Sequence, residues 1–352
     1  MSYAVPYIPF SQLELVHKSL KESGVVVVTD VFTLEEAHAH RNKIIQYLQD
    51  ICPELKERPA WKHLPQGPRK GLIQSLVTVE PVTSLRQDPR VYELWKHAYN
   101  DGRRTQGGFV QSCDGINVWP GDGRPRGKDW PHLDQTESDR LFECVQGQIV
   151  LNESTACFRC TPGSHRLFSE IRDITEGKDD WNKFSDSEVK KVKALLRKSG
   201  VTRWQERVFA APGSIILWLS TTIHSAAVQD PDAPKRDRPY DDWRCVVYTC
   251  LRPRREVSEN HLKRLKKCYD ENRCTNHWGS RLFPKTFRWG CHNQPPTLKK
   301  FQDDPALVYK QFPEYKPRGD PFLQKTCALD KFVARDSKRR RTVKDDQVVD
   351  SY

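Results

Sequence analysis

The sequence has little continuous hydrophobicity, which limits where the protein can reside. Hydrophobic residues make up 37% of the 352 residues, and the mean hydropathy is −0.75. There is no run of about eighteen apolar residues, so we expect no membrane span. The first residues also lack the basic segment and apolar stretch of a secretory signal. These absences favour an intracellular protein, cytoplasmic or nuclear.

The cysteines lack the close, regular spacing of a disulfide framework. There are eleven of them, an odd number, so we expect reduced thiols in an intracellular compartment. A structural zinc site is an alternative for one group near the C-terminus, which contains Cys268, Cys274, His277, Cys291 and His292. The spacing of these residues matches the close cysteine pairs of structural zinc sites poorly. Scattered reduced cysteines are therefore the preferred interpretation.

Positive charge is present in excess and is unevenly distributed. The net charge is +12, and residues 252–300 hold thirteen Lys or Arg against four Asp or Glu. A basic surface attracts phosphate-rich or other anionic partners, so nucleic-acid binding is one alternative function. A solvated face is the simpler explanation. The run KRRR at residues 338–341 resembles a nuclear localisation signal, although such short runs occur often by chance.

Two patterns of secondary structure follow each other along the chain. Val25 to Val28 form a β-branched run typical of a buried strand, and Thr33 with Glu36 predicts a capping box that begins a helix. From about residue 109 the pattern changes to short apolar segments separated by Gly, Pro, Asp and Asn. Many short strands with such turns predict a β-sandwich or barrel.

One helix interrupts the strands. Ser185 and Glu188 predict its capping box, and Gly200 is its expected end. The helix belongs to an insertion over residues 169–207. Because its polar face carries several Lys and Arg, we consider a lid over the active site as one role and a solvated outer face as the other.

The stretch KDWPHLDQTES contains a pair of potential metal ligands. His132 and Asp134 are two residues apart, so an extended backbone places both side chains on the same side. A site with two histidines and one carboxylate needs one more histidine and keeps three positions open for other ligands. His224, which follows the apolar strand of GSIILWLSTTIH, is the candidate. A chance pair among eleven histidines is the alternative.

Further motifs resemble the phytanoyl-CoA dioxygenase family, a branch of the iron(II)/2-oxoglutarate dioxygenases. The motifs are SGVVVVTDVFTLEEA near the N-terminus, GQIVLNES, TPGSHR and APGSIILWLSTTIH. The resemblance covers roughly residues 20–252, and the motifs occur in the order of the family. It implies a mainly β fold with flanking helices (α+β), built on a double-stranded β-helix, the jelly roll of cupin-like proteins.

The resemblance also implies roles for particular residues. His132, Asp134 and His224 would bind Fe(II), and Arg244 would bind the distal carboxylate of 2-oxoglutarate, for which the planar guanidinium is suited. Arg236 is the alternative because an insertion lengthens the interval between His224 and Arg244.

Other polar residues are weaker candidates. Asn117 would lie against the cosubstrate, although a structural asparagine is equally favoured, and Gln111 and Gln148 are further candidates of this kind. We expect His165 of the PGSH motif to be structural.

The implied reaction consumes O2 and 2-oxoglutarate, releases succinate and CO2, and hydroxylates a C–H bond of a substrate. The sequence does not identify that substrate, although we expect a small molecule. In the nucleic-acid alternative, the basic residues 252–300 bind the nucleic acid, and the barrel is either inactive or acts on it as a substrate. We expect a dioxygenase domain over residues 1–252, a basic extension over 253–335 packed on the core, and a basic tail over 336–352 without stable structure. The oligomeric state is not predicted.

Overall fold

The computed structural model describes residues 3–57, 63–64, 71–119, 130–135, 140–175, 182–227, 230, 243–275 and 296–318. The strands are β1 (Tyr7–Pro9), β2 (Val25–Thr29), β3 (Leu72–Ile73), β4 (Phe109–Gln111), β5 (Ile116–Trp119), β6 (His132–Leu133), β7 (Val145–Val150), β8 (Phe158–Cys160), β9 (Asn182–Lys183), β10 (Glu206–Val208), β11 (Ile215–Leu219), β12 (His224–Ala226) and β13 (Arg244–Pro253). The helices are α1 (Val16–Ser23), α2 (Leu34–Ile51), α3 (Glu80–Arg86), α4 (Pro89–Tyr99), α5 (Gly102–Thr105), α6 (Phe168–Ile174), α7 (Asp186–Lys198), α8 (Glu259–Asp270), α9 (Pro296–Asp303) and α10 (Leu307–Gln311).

The strands form two sheets. The larger has the order β1-β2-β11-β7-β13-β5-β3, with β4 also paired to β13, and only the pair β1–β2 is parallel. The smaller sheet has the order β10-β8-β12-β6-β9 and is antiparallel throughout. Neighbouring strands are distant in sequence, as a jelly roll requires. The predicted jelly-roll fold is confirmed.

An apolar cluster of side chains from both sheets fills part of the space between them. Side chains alternate between the two faces of a strand, so one face of each sheet supplies this cluster. The larger sheet contributes Ile216, Trp218 and Val246, and the smaller sheet contributes Phe158 and Val208. Polar side chains interrupt this inner face at a few positions, and the candidate site is built from them.

The opposite face of the larger sheet packs against the N-terminal helices. Val145, Ile149, Leu217 and Val247 face this side and join a core that also contains residues of α1, α2 and α4. The helix α2 begins with the predicted capping box, because Thr33 accepts from the backbone N–H of Glu36 and the Glu36 side chain accepts in return. No helix in the described part of the chain is both long and apolar enough to cross a membrane.

The helix of the insertion lies behind the smaller sheet. Its capping box between Ser185 and Glu188 is confirmed. Its buried Val192 and Leu196 belong to an apolar cluster with Leu133, which follows His132 on β6. This packing is that of a buttress behind a metal-site strand, so the structure favours an outer-face role for α7 over the lid.

The basic extension contacts the rest of the molecule over its described residues. Leu265 and Cys268 of α8 pack against Val110. The Tyr309 hydroxyl oxygen lies 3.0 Å from the carbonyl oxygen of Tyr269 and within hydrogen-bonding distance of that of Thr78, so its one proton is shared between them. The domain boundary at residue 252 stays a prediction, and the expected tail at 336–352, with its KRRR run, lies outside the described residues.

Candidate metal centre

Two adjacent strands bring the histidines together. β6 and β12 are antiparallel neighbours, and His132 stands directly opposite His224 in their register. The two imidazole rings lie with their centroids 4.2 Å apart. The apolar residues that flank them in sequence, Leu133 and Ile223, point to the other side of the sheet into the cluster under α7. Strand pairing therefore explains how two histidines 92 positions apart in the sequence converge.

Asp134 completes the group. Its carboxylate oxygens lie 3.6 Å from the Nε2 atom of His132 and 3.3 Å from the Nε2 atom of His224. The ligand atoms of the three residues all lie within 4.8 Å of one another, and all three side chains are buried. In the part of the chain that the structure describes, no other set of His, Cys, Asp and Glu side chains has this arrangement.

Hydrogen bonds orient each member of the group. The Nδ1 atoms of His132 and His224 lie 3.1 Å and 2.9 Å from the carbonyl oxygens of Trp130 and Thr222. A carbonyl only accepts, so each Nδ1 carries the hydrogen and each neutral ring keeps its Nε2 lone pair for a metal. The Gln146 side-chain amide donates to Asp134 Oδ2 at 2.8 Å.

This donor set fits Fe(II). Two neutral imidazole nitrogens and one carboxylate oxygen are the ligands of the non-haem iron oxygenases, which leave positions open for other ligands. Because the three ligand atoms converge within 4.8 Å of one another, one cation can contact all of them. The three side chains can therefore hold an iron ion, with the hydrogen bonds to Nδ1 and Oδ2 fixing their orientation.

Arg244 lies on the inner face of the larger sheet and is 3% exposed. Its Nη2 atom donates to Gln148 Oε1 at 3.3 Å. Among the residues that the structure describes, its buried Nε–H has no acceptor within hydrogen-bonding distance, and no carboxylate forms an ion pair with it. A buried cation with an unmet donor is costly unless an anion joins it. The site around Arg244 thus suits a carboxylate ligand.

Two glutamines of β7 contact Arg244 and one of the candidate metal ligands. Gln146 contacts Asp134, and Gln148 contacts Arg244. They are two residues apart, so they share one face of the strand and lie about 7 Å apart along it. Gln148 was a weak candidate from the sequence. Gln146 was not predicted, because its importance depends on which side chains the register places beside Asp134.

The remaining sequence candidates have mixed outcomes. Asn117 is buried on the inner face of β5, opposite Val246. Gln111 instead donates to the carbonyl of Arg86 at 2.7 Å and to the Thr249 hydroxyl at 3.3 Å, which are structural contacts. Arg236 lies outside the described residues, so the choice between Arg236 and Arg244 stays a prediction.

His165 has surroundings that fit the expected structural role. It is buried, and its Nε2 atom lies 3.1 Å from the carbonyl of Lys21 at the end of α1. Burial lowers its pKa to about 4. In the zinc alternative, Cys268 and Cys274 are buried, and the other three residues lie outside the described residues.

Aromatic rings surround the histidines, and the sequence did not predict them. Trp130 stacks on His132 with centroids 4.6 Å apart, and Trp218 and Phe158 lie 5.3 Å and 5.8 Å from His224. Trp218 is preceded by an apolar run, and an alternation pattern could have placed it on the inner face. No sequence signal relates Trp130 or Phe158 to the histidines.

A family model decides the identity. The model described as "Phytanoyl-CoA dioxygenase (PhyH)" matches residues 20–235, well over half of the chain. The chain belongs to the phytanoyl-CoA dioxygenase family. The matched residues include His132, Asp134 and His224, and they end before Arg244. The predicted enzyme class is confirmed: this family member is an iron(II)- and 2-oxoglutarate-dependent dioxygenase.

Several known proteins are similar to this chain. The "Ava biosynthesis cluster protein O" of Aspergillus versicolor is 23% identical over 266 residues, which are 70% of this chain and 80% of that protein. A crystal structure of an oxidoreductase candidate from Salmonella typhimurium LT2 shares the fold, with a TM-score of 0.53, 15% identity and coverage of 85% of this chain and 86% of that one. The epimerase SnoN, solved in complex with Fe3+, alpha ketoglutarate and nogalamycin RO, matches with a TM-score of 0.40, 14% identity, and coverage of 68% and 83%.

Proposed function

We propose that this dioxygenase hydroxylates a C–H bond of a small molecule at an iron held by His132, Asp134 and His224, with 2-oxoglutarate anchored by Arg244. The observation that supports it best is the combination of two buried groups. One is a set of three ligand atoms within 4.8 Å of one another. The other is a buried guanidinium that lacks an anionic partner among the described residues. The iron would bind to the first group, and the distal carboxylate of the cosubstrate would bind to the second.

The spacing of the two groups supports the same ligand. Gln146 contacts Asp134 and Gln148 contacts Arg244, and these two glutamines are about 7 Å apart along β7. A five-carbon dicarboxylate can span such an interval, with one carboxylate at the metal and the other at the guanidinium. Arg244 then satisfies its charge and its Nε–H through charge-assisted hydrogen bonds, which are stronger than neutral ones.

Bound iron and 2-oxoglutarate supply the oxidising chemistry. The residues of the chain hold and orient these groups. The carbonyls of Trp130 and Thr222 fix the imidazole tautomers, and Gln146 fixes the carboxylate of Asp134. Aromatic rings beside His132 and His224 reduce the access of water to the ligands, which protects a reactive site from side reactions.

The nucleic-acid alternative has no comparable support. In the described helix α8 and its flanks, several cations pair with acidic neighbours: Lys266 with Asp270, Lys267 with Glu271, and Arg254 with Glu259. Largely exposed pairs of this kind are typical of a solvated surface, which is the simpler explanation of the charge. We therefore propose the small-molecule reaction alone.

The test is an anaerobically loaded enzyme exposed to labelled dioxygen in the presence of a panel of metabolites. The expected result is succinate formation that requires Fe(II), together with incorporation of label into one compound. Arg244→Lys keeps the charge but removes the planar fork, so the KM for 2-oxoglutarate should rise by about one to two orders of magnitude. A panel that includes single-stranded oligonucleotides detects the rival substrate class. Absence of any iron-dependent succinate formation would refute the proposal.

A further inference from the structure

Trp218 is a buried tryptophan whose indole N–H has no acceptor among the residues that the structure describes. The residue is 2% exposed, so bulk solvent is not its partner. Trp95, which is equally buried, donates its indole N–H to the carbonyl of Val145 at 3.0 Å. Buried donors without a partner are rare in folded proteins because each has lost its hydrogen bond to water. The unmet donor of Trp218, which lies beside His224, is therefore available to a ligand.

The position of Trp218 indicates which ligand is in reach. On β11 it stands in register with Gln146, the residue whose amide donates to Asp134. Its ring centroid lies 5.3 Å from that of His224. One step further along the inner face, Ile216 stands opposite Gln148, which contacts Arg244. Trp218 therefore lies at the end of the strand pair that is next to Asp134 and His224. Arg244 lies near the other end, beside Gln148.

We propose that the indole N–H of Trp218 donates a hydrogen bond to the carboxylate of 2-oxoglutarate that binds beside the iron. The inference rests on the proposed function, since it needs the metal at His132, Asp134 and His224 and the distal carboxylate at Arg244. The charge at the metal end is balanced by the iron, so a neutral donor is sufficient there. The distal carboxylate has no metal ion beside it, so its charge is balanced by the guanidinium of Arg244. The two buried unmet donors then hold opposite ends of one molecule.

The variant Trp218→Phe separates the hydrogen bond from the packing. Phenylalanine keeps an aromatic ring beside Phe158, whose centroid is 4.6 Å from that of Trp218, and beside His224. It removes only the N–H and part of the ring. Phe158→Leu is the matched control, because it alters the same aromatic wall without removing a donor. Metal affinity, measured by titration with Mn(II), should be unchanged in Trp218→Phe, which shows that the ligands are intact.

Two measurements read the hydrogen bond directly. Calorimetric titration of the Mn(II)-loaded proteins with 2-oxoglutarate should give a dissociation constant raised about tenfold or more in Trp218→Phe, the loss expected for a hydrogen bond to a charged group. Phe158→Leu should remain near the wild-type value. In the wild-type protein loaded with diamagnetic Zn(II), the indole N–H resonance of Trp218 should shift on addition of 2-oxoglutarate. The resonance can be assigned in the wild-type protein through the backbone signals of Trp218. The measurement therefore needs no variant and remains possible if Trp218→Phe does not fold.

The outcomes distinguish this inference from the function beneath it. If the loaded wild-type protein does not bind 2-oxoglutarate, or binds it equally well in Arg244→Met, the proposed function is wrong. If the wild type binds it and Arg244→Met does not, but Trp218→Phe matches the wild type and the resonance stays fixed, only the role of Trp218 is wrong. A resonance that moves only after a substrate is added would assign the donor to the substrate and also overturn the inference.

Discussion

Replacing Arg244 with methionine should stabilise the metal-free protein while removing its affinity for 2-oxoglutarate. The reason is that the guanidinium is 3% exposed, yet it has one hydrogen bond, to Gln148, and no carboxylate partner among the described residues. Methionine has a similar length and no polar group, so it removes the buried charge and leaves little space unfilled. A residue placed for a ligand costs stability when the ligand is absent.

The magnitude follows from two opposing contributions. Relieving a buried unmet N–H donor gains about 1–3 kcal/mol, and leaving the Gln148 carbonyl oxygen without its bond costs about 1 kcal/mol. The expected net change in the free energy of unfolding is therefore about 0–2 kcal/mol in favour of Arg244→Met. In binding, the same substitution loses charge-assisted hydrogen bonds to the distal carboxylate, so the dissociation constant of 2-oxoglutarate should rise by two orders of magnitude or more.

Urea unfolding of the metal-free proteins measures the first quantity, and calorimetry of the Mn(II)-loaded proteins measures the second. Arg244→Lys is the control, because it retains a buried charge and should gain no stability. The reasoning is refuted if Arg244→Met unfolds more easily than the wild type by over about 1 kcal/mol. That result would mean that the guanidinium is needed by the fold and not kept for a ligand.

Three further predictions concern the supports of the site. Gln146→Leu removes the amide that donates to Asp134, so Fe(II) affinity should fall roughly 10–100-fold. In the control Gln148→Leu, which loses the contact to Arg244 instead, metal titration should give the wild-type value. Burial lowers the pKa of His165 to about 4. As the pH falls, this histidine therefore takes up its proton in the unfolded chain before it does so in the folded protein. The free energy of unfolding should fall by up to about 3 kcal/mol as the pH drops from about 6.5 towards 4. Urea unfolding should show this fall in the wild type and a flatter profile in His165→Gln, and parallel profiles would contradict the assignment. In hydrogen exchange, α7 should be as well protected with and without ligands, and a helix that becomes protected only when ligands bind would restore the lid hypothesis.

The sequence predicted which three side chains the structure brings together, because their pattern is local. The two-residue spacing of His132 and Asp134 sets their common side, and His224 follows an apolar strand of recognisable form. Both capping boxes were predicted correctly for the same reason, since the residues of a helix N-terminus are close in sequence. The order of the family motifs then predicted the jelly roll, which the two sheets confirm.

What the sequence did not predict depends on register between distant strands. Gln146 reaches Asp134, and Trp218 lies beside His224, only because β7 and β11 align as they do. The insertion over residues 169–207 was predicted as a helix between strands, but it also supplies β9, in which Lys183 pairs with His132 of β6. The sequence of one strand does not show how it aligns with its neighbour. A shift of that alignment by one residue would reverse which side chains face the site.

The central claim is that His132, Asp134 and His224 bind the iron that drives the reaction. Its most direct test is the rate of succinate formation as Fe(II) is added to the wild type and to Asp134→Ala under otherwise identical conditions. The wild-type rate should rise and level off at one Fe(II) per chain, and the Asp134→Ala rate should stay at the level of the metal-free enzyme while its circular dichroism spectrum matches the wild type. A folded Asp134→Ala protein that forms succinate at the wild-type rate would show that the iron is bound elsewhere.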